Sequence, residues 1–244
     1  MPQPWELTWQ RLPLEGLANA RELGGYPRSD GGQTLWRRFI RSDALADATP
    51  ADIEFLRNYG VRAVLDMRGE KEAEGRPDVS LGPDVVTANI SPFKVNMAST
   101  DMQATMPATW VYDCIFENRE AWRGIFGFIA DAPEGCVLFH CSVGKDRTGI
   151  LAALLLMLAG CDRWDAFASY VPSRVNIMRL PFFRPYWDKI CSDNEREHYD
   201  SRPETLGHWF DRLDAEFGGD VRAYLAWCGV SEKTMDAVRA RLVE

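Results

Sequence analysis

Ten consecutive residues could carry most of the chemistry in this chain: His140-Cys141-Ser142-Val143-Gly144-Lys145-Asp146-Arg147-Thr148-Gly149. They follow a short, continuously apolar run, Gly135 to Phe139, and precede a second apolar stretch that Gly160 closes. The first run has the character of a strand buried on both faces. The second, Arg147 to Ala159, reads as a buried helix with a glycine terminator. A loop from the carboxyl end of such a strand onto a helix N-terminus offers free backbone N–H groups and the positive end of the helix dipole to an anion. A cysteine in that field favours its thiolate, the nucleophilic form. Arg147 sits at the helix start, where its planar fork can hold two phosphate oxygens at once. Gly144 lets the backbone wrap closely, so Ser142, Val143, Gly144 and Lys145 can form a nest of N–H donors behind which Cys141 stands in line. Cys-x5-Arg alone is a weak signal. His140 before it, Gly144 inside it, Thr148 after it and the flanking strand and helix make it specific.

The elements that must position this loop are legible from pattern. Gly24-Gly25-Tyr26-Pro27 and Ser29-Asp30-Gly31-Gly32 are turn-rich, and Leu35 to Ile40 reads as a strand, so a hairpin is expected there. Ala51 to Tyr59 is a short predicted helix with Ile53 and Leu56 on one face and Gly60 at its end. Val61 to Asp66 and Asp84 to Ile90 read as strands, and Ala121 to Ala130 as a helix. This order implies an α/β fold with a largely parallel central sheet. From about Trp164 the pattern is helical only. The last helix, Glu232 to Val243, takes Ser231 as N-cap and puts Met235, Val238 and Leu242 on one face. The expected organisation is one domain over 1–244, with an α/β core over 1–160 and a helical subdomain over about 164–244.

Composition narrows the function classes. The 244 residues are 46% hydrophobic and 26% charged, with a net charge of −8. An acidic chain of this kind is not built for non-specific nucleic-acid binding. The longest apolar run, Ile150 to Gly160, is far below the roughly 20 residues of a membrane span. No basic-then-apolar leader opens the sequence, and the six cysteines form no Cys-x-x-Cys pair, so a reducing, cytoplasmic location is expected. The three dispersed histidines imply neither metal nor cofactor.

The segment His140 to Gly149 resembles the phosphate loop of cysteine-based protein tyrosine phosphatases. Its Gly-Lys-Asp-Arg-Thr-Gly ending is similar to that of the bacterial and fungal tyrosine/serine phosphatase family. Asn19-Ala-Arg-Glu-Leu-Gly-Gly-Tyr26, Arg41-Ser-Asp-Ala-Leu45, and Val64-Leu-Asp66-Met-Arg68 followed by Glu72 and Pro77-Asp78 resemble further blocks of that family. Ser169-Tyr170 to Asn176 fits as well. The sequence departs at Ala20, Glu22 and Ser169, where the family often has Phe, Asp and Asp. The resemblance implies a phosphatase fold with a C-terminal helical subdomain. It implies a metal-independent phosphomonoesterase that forms a phosphocysteine on Cys141, with Arg147 and the loop N–H groups binding the phosphoryl oxygens. By the same resemblance His140 orders the loop and Thr148 donates to the sulfur.

Several roles stay open at this stage. The Trp-Pro-Asp tripeptide of another phosphatase subgroup is absent, so the general acid is assigned first to Asp146, then to Asp66, with Asp101 and Asp113 as further candidates. Lys145 reads either as a second cation for phosphoinositide head groups or as a partner of Asp146. Arg68 and Arg41 read as structural ion-pair formers or as added positive charge. The aromatic stretch Leu180 to Ile190, within 164–202, reads as a lid, as a surface for lipid or partner, or as packing of the helical subdomain onto the core. The expected substrate is a phosphotyrosine protein. A phosphoinositide or dual-specificity phosphatase is the alternative, and a silent phosphate-binding module the second. A sulfur transferase or arsenate reductase is disfavoured by Arg147-Thr148 after Lys145-Asp146.

Overall fold

The computed structural model describes residues 10–93, 106–181, 183–190 and 193–244. At its centre is a five-stranded sheet: β1 (Arg21–Glu22), β2 (Phe39–Ser42), β3 (Val61–Asp66), β4 (Val86–Asn89) and β5 (Cys136–His140). The order is β1-β2-β5-β3-β4, parallel throughout except for β1 against β2. The apolar strand Cys136–His140 is therefore central, and every one of its residues is buried. The register sets Ser42, His140 and Asp66 side by side, so three strands end at one level beneath the loop that follows β5.

The helices form around this sheet as α1 (Pro50–Tyr59), α2 (Glu70–Gly75), α3 (Ala108–Glu117), α4 (Arg119–Asp131), α5 (Asp146–Ala159), α6 (Arg163–Tyr170), α7 (Ser173–Ile177), α8 (Phe183–Trp187), α9 (Asp193–Tyr199), α10 (Pro203–Phe217), α11 (Val221–Trp227) and α12 (Glu232–Val243). Among the described residues no helix is long and apolar enough to cross a membrane. α5 carries the buried run Ile150 to Leu156 and stops at Gly160, which takes the left-handed conformation. Its apolar cluster extends from Phe139 of the sheet to Trp209 of α10 and Leu242 of α12. Ser231 caps α12 by accepting from the Thr234 N–H, and Met235, Val238 and Leu242 face inward.

Two expectations change. The strand after the hairpin turns is Phe39–Ser42, not Leu35 to Ile40. Trp36 packs against the Gly24-Gly25 backbone, and Arg37 takes a positive φ of 63°, so the chain turns before it can pair. The stretch before residue 121 contains α3, which the sequence reading passed over. Its signal was present: Ala108, Val111, Tyr112, Ile115 and Phe116 are buried at helical spacing.

At Gly149 α5 comes close to α6, since a Cβ there would lie 2.7 Å from the Tyr170 ring. Helix propensity alone would make Gly149→Ala stabilising by about 1 kcal/mol. Crowding of this size costs about 1–3 kcal/mol. We expect urea denaturation to show Gly149→Ala less stable than wild type; a gain in stability would contradict the packing described.

Candidate active site

The loop from Cys141 to Lys145 is fixed from behind through its carbonyl oxygens. Asn19 Nδ2 donates to the carbonyls of Val143 (2.8 Å) and Gly144 (3.0 Å). Arg41 donates to the Gly144 carbonyl at 2.9 Å, and the Ala44 N–H to that of Ser142 at 3.1 Å. In a planar trans peptide the C=O of one residue and the N–H of the next point in opposite directions. Turning the carbonyls of 142, 143 and 144 outward therefore turns the N–H groups of 143, 144 and 145 toward the inside of the loop. Gly144 makes this possible with a φ of +71°, and a Cβ there would lie 2.5 Å from the Ser42 carbonyl oxygen.

The donors behind the loop are themselves anchored. Asp43 accepts from the Ala18 and Asn19 N–H groups. Arg41 and Arg21 both donate to the Ser169 carbonyl, and Arg41 also to its hydroxyl. Both guanidinium groups are buried. Burial pushes the Arg41 pKa down to about 10 and that of Arg21 well below the usual arginine value. No local pattern marks Asn19 and Arg21 as supports of the loop, because 124 residues of chain separate Asn19 from Val143.

Cys141 is 2% exposed, at the start of this loop. Beside it opens a cavity of about 220 Å³. Ser142, Val143, Asp146 and Arg147 reach it from the loop, Phe93, Ala108 and Val111 from the side of α3, His198 and Tyr199 from α9, and Glu72 from α2. His198 Nε2 meets the Met106 carbonyl at 2.6 Å and so joins α9 to the entry of α3. Arg147 forms a bidentate pair with Glu72, at 2.7 and 3.0 Å, and donates to the Met67 carbonyl. Ser142 Oγ donates to the same Glu72 carboxylate at 2.7 Å. Burial opposes the charge on Arg147, but the neighbouring Cys141, Glu72 and Asp146 outweigh it and keep the guanidinium above the ordinary arginine value. Burial likewise opposes the Glu72 charge, yet the Arg147 pair and the Ser142 and Gly69 donors bring its pKa down to about 2.

The other candidates fall into distinct surroundings. Asp146 lines the cavity; it accepts from Tyr112 Oη at 2.7 Å and lies 3.0 Å from Lys145 Nζ. Lys145 is buried, and its ammonium also donates to the carbonyls of His198 (2.6 Å) and Asp200 (3.1 Å). Its charge is thus committed to tying α9 to the loop. Asp66 is held bidentately by Arg68 at 2.9 Å and is not among the residues lining the Arg147 cavity. Arg68 also reaches Asp78, and His140 Nε2 lies 3.1 Å from Asp78. Asp66, Asp78 and His140 have donor atoms within 4.8 Å of one another, and Arg68 bridges both carboxylates. His140 Nδ1 lies 3.1 Å from the Cys141 carbonyl, which fits an ordering role. Thr148 Oγ1 is buried and has no hydrogen-bond partner among the described residues, so the expected bond to sulfur is not formed here. Asp113 pairs with His208 (2.8 Å) and Arg212 (3.3 Å) away from the loop. Asp101 lies outside the described residues. In the aromatic stretch, Leu180 and Phe183 pack with Ala18 and Ile177, and Val143 of the loop touches the same cluster.

A buried cysteine, three N–H groups turned toward the inside of the loop and an arginine fork at a helix N-terminus are the parts that a cysteine-based phosphatase site requires. Sequence comparison reaches the same class. A model of the tyrosine phosphatase family matches residues 12–244, and the chain belongs to that family. It is 30% identical over 231 residues to a tyrosine-protein phosphatase of Nostoc commune, covering 84% of this chain and 74% of the relative. It is 23% identical over 253 residues to the triple specificity protein phosphatase PtpB of Mycobacterium tuberculosis, covering 84% and 91%. Among solved structures, P. aeruginosa TpbA aligns over 91% of this chain and 98% of its own, with 14% identity and a TM-score of 0.40.

Glu72 supplies a pH test of the Arg147 pair. Its pKa is lower in the folded chain than the ordinary 4.5, so its contribution to stability is complete above about pH 4.5 and is lost as pH falls through about 2. We expect the stability gap between wild type and Glu72→Gln, from urea midpoints, to be constant near neutrality and to shrink below pH 4.5. A gap that stays flat down to pH 2.5 would contradict the pair.

Proposed function

We propose that the protein hydrolyses phosphotyrosine in proteins through a phosphocysteine on Cys141, with Asp146 as general acid. The observation that carries this reading is the placement of Cys141: 2% exposed at the root of a loop whose Ser142, Val143, Asp146 and Arg147 line a cavity with the apolar walls Phe93, Ala108 and Val111. A cavity with apolar walls suits an aromatic phosphate. In this reading the Cys141 thiolate attacks phosphorus while Arg147, Ser142 and the loop N–H groups hold the equatorial oxygens. As the S–P bond forms and the P–O bond breaks, the Asp146 proton passes to the departing phenolate oxygen. Water then attacks the phosphocysteine, its proton returns to Asp146, and the thiolate leaves. His140, Asp66 and Arg68 support the loop from below rather than touch substrate.

The engaged ammonium of Lys145 supports a monophosphate substrate over a multiply phosphorylated inositol lipid. The relative from Mycobacterium tuberculosis carries the name of a broader specificity, so phosphoserine and phosphoinositides belong in any substrate panel. The scattered, free cysteines support action in a reducing, cytoplasm-like compartment.

The test is phosphate release in EDTA by wild type, Cys141→Ser and Asp146→Asn on a phosphotyrosine peptide, a phosphoserine peptide and monophosphorylated phosphoinositides. We expect wild type to prefer phosphotyrosine, Cys141→Ser to be silent, and Asp146→Asn to lose about 10²-fold or more in turnover while still binding substrate. Turnover by Cys141→Ser equal to wild type would sink the reading, and unchanged turnover by Asp146→Asn would remove Asp146 from it.

A further inference from the structure

Both groups that bind Asp146 take the same oxygen. Tyr112 Oη donates to Oδ1 at 2.7 Å, and Lys145 Nζ lies 3.0 Å from that same atom. Among the described residues no hydrogen bond reaches Oδ2. An oxygen that accepts from two donors cannot also carry a proton without losing one of them. The two donors are themselves held. Lys145 is fixed by the His198 and Asp200 carbonyls. Tyr112 is 1% exposed on α3, and its hydroxyl lies 2.7 Å from that of Tyr170, at the end of α6. Tyr170 in turn rests against Gly149 of α5. Burial raises the pKa of both tyrosines well above the usual value, so each keeps its proton and can donate it.

We propose that Tyr112 is a positioning residue for the general acid: with Lys145 it pins Oδ1 of Asp146 and leaves Oδ2 as the oxygen that carries the proton to the leaving group. This rests on the reading of Asp146 as the acid. The transfer adds no new reactant. The Oδ2–H bond breaks as the phenol O–H bond forms, and the carboxylate left behind keeps its Tyr112 and Lys145 donors. α3, which holds Tyr112, thereby joins the reaction although none of its residues lies in the loop.

Leaving-group dependence separates this role from simple packing. A departing 4-nitrophenolate needs little protonation, whereas phenol and tyrosine need it. We would measure kcat/KM for 4-nitrophenyl phosphate, phenyl phosphate and a phosphotyrosine peptide with wild type, Tyr112→Phe, Tyr170→Phe and Asp146→Asn. Inhibition by inorganic phosphate would report whether each loop is intact. Tyr112→Phe is expected to lose about tenfold on phenyl phosphate and the peptide, less than about twofold on 4-nitrophenyl phosphate, and nothing in phosphate inhibition. Tyr170→Phe, which reaches Asp146 only through Tyr112, is expected to show a smaller loss of the same selective kind. Equal loss by Tyr112→Phe on all three substrates, or none, overturns the inference while a steep Asp146→Asn keeps the acid. A flat Asp146→Asn overturns the acid reading and this inference with it.

Discussion

The outward fixing of three carbonyls in the loop after β5 is the constraint on which the rest of the site depends. A row of N–H groups can converge on one point only if the opposite ends of those peptides are satisfied elsewhere. Here the partners are Asn19, Arg41 and the Ala44 N–H, which come from the first part of the chain. The sheet order places β2 directly beside β5, so Ser42 to Ala44 lie where the loop can lean on them. Gly144 fills the remaining space, which no side chain could share with the Ser42 carbonyl.

Charge around the loop is arranged in layers. Arg147 faces the cavity and is matched by Glu72, which leaves its fork oriented. Behind the loop, Arg41 and Arg21 are buried against carbonyl and hydroxyl oxygens of Ser169 and Ser173. Their hydrogen bonds go to neutral oxygens, and the buried Asp43 is a carboxylate whose charge acts on Arg21. Lower down, Arg68 bridges Asp66 and Asp78 beside His140.

Much of this was legible in the sequence, for reasons that can be traced to residues. Gly135 to Phe139 and Ile150 to Ala159 announced their elements because each is apolar without interruption, and the loop between them had nowhere to go but the sheet's carboxyl edge. Cys141, Arg147 and Gly144 are read from local spacing. Tyr112, Asn19 and Glu72 were not, since each reaches the loop across 34, 124 and 75 residues, and no local pattern encodes such a meeting. Lys145 illustrates the same limit. Its type and position fit a phosphate ligand, but only the fold shows the His198 and Asp200 carbonyls that engage it.

The central claim is that Cys141 carries the phosphoryl group between two chemical steps. The most direct measurement is rapid acid quench of the enzyme turning over a phosphotyrosine peptide, followed by mass spectrometry of the peptide that contains Cys141. The account predicts one phosphoryl group on the Cys141 sulfur, formed at the rate of tyrosine release and lost at the rate of phosphate release. Phosphate release at full rate with no phosphoryl group on Cys141 at any quench time would contradict it.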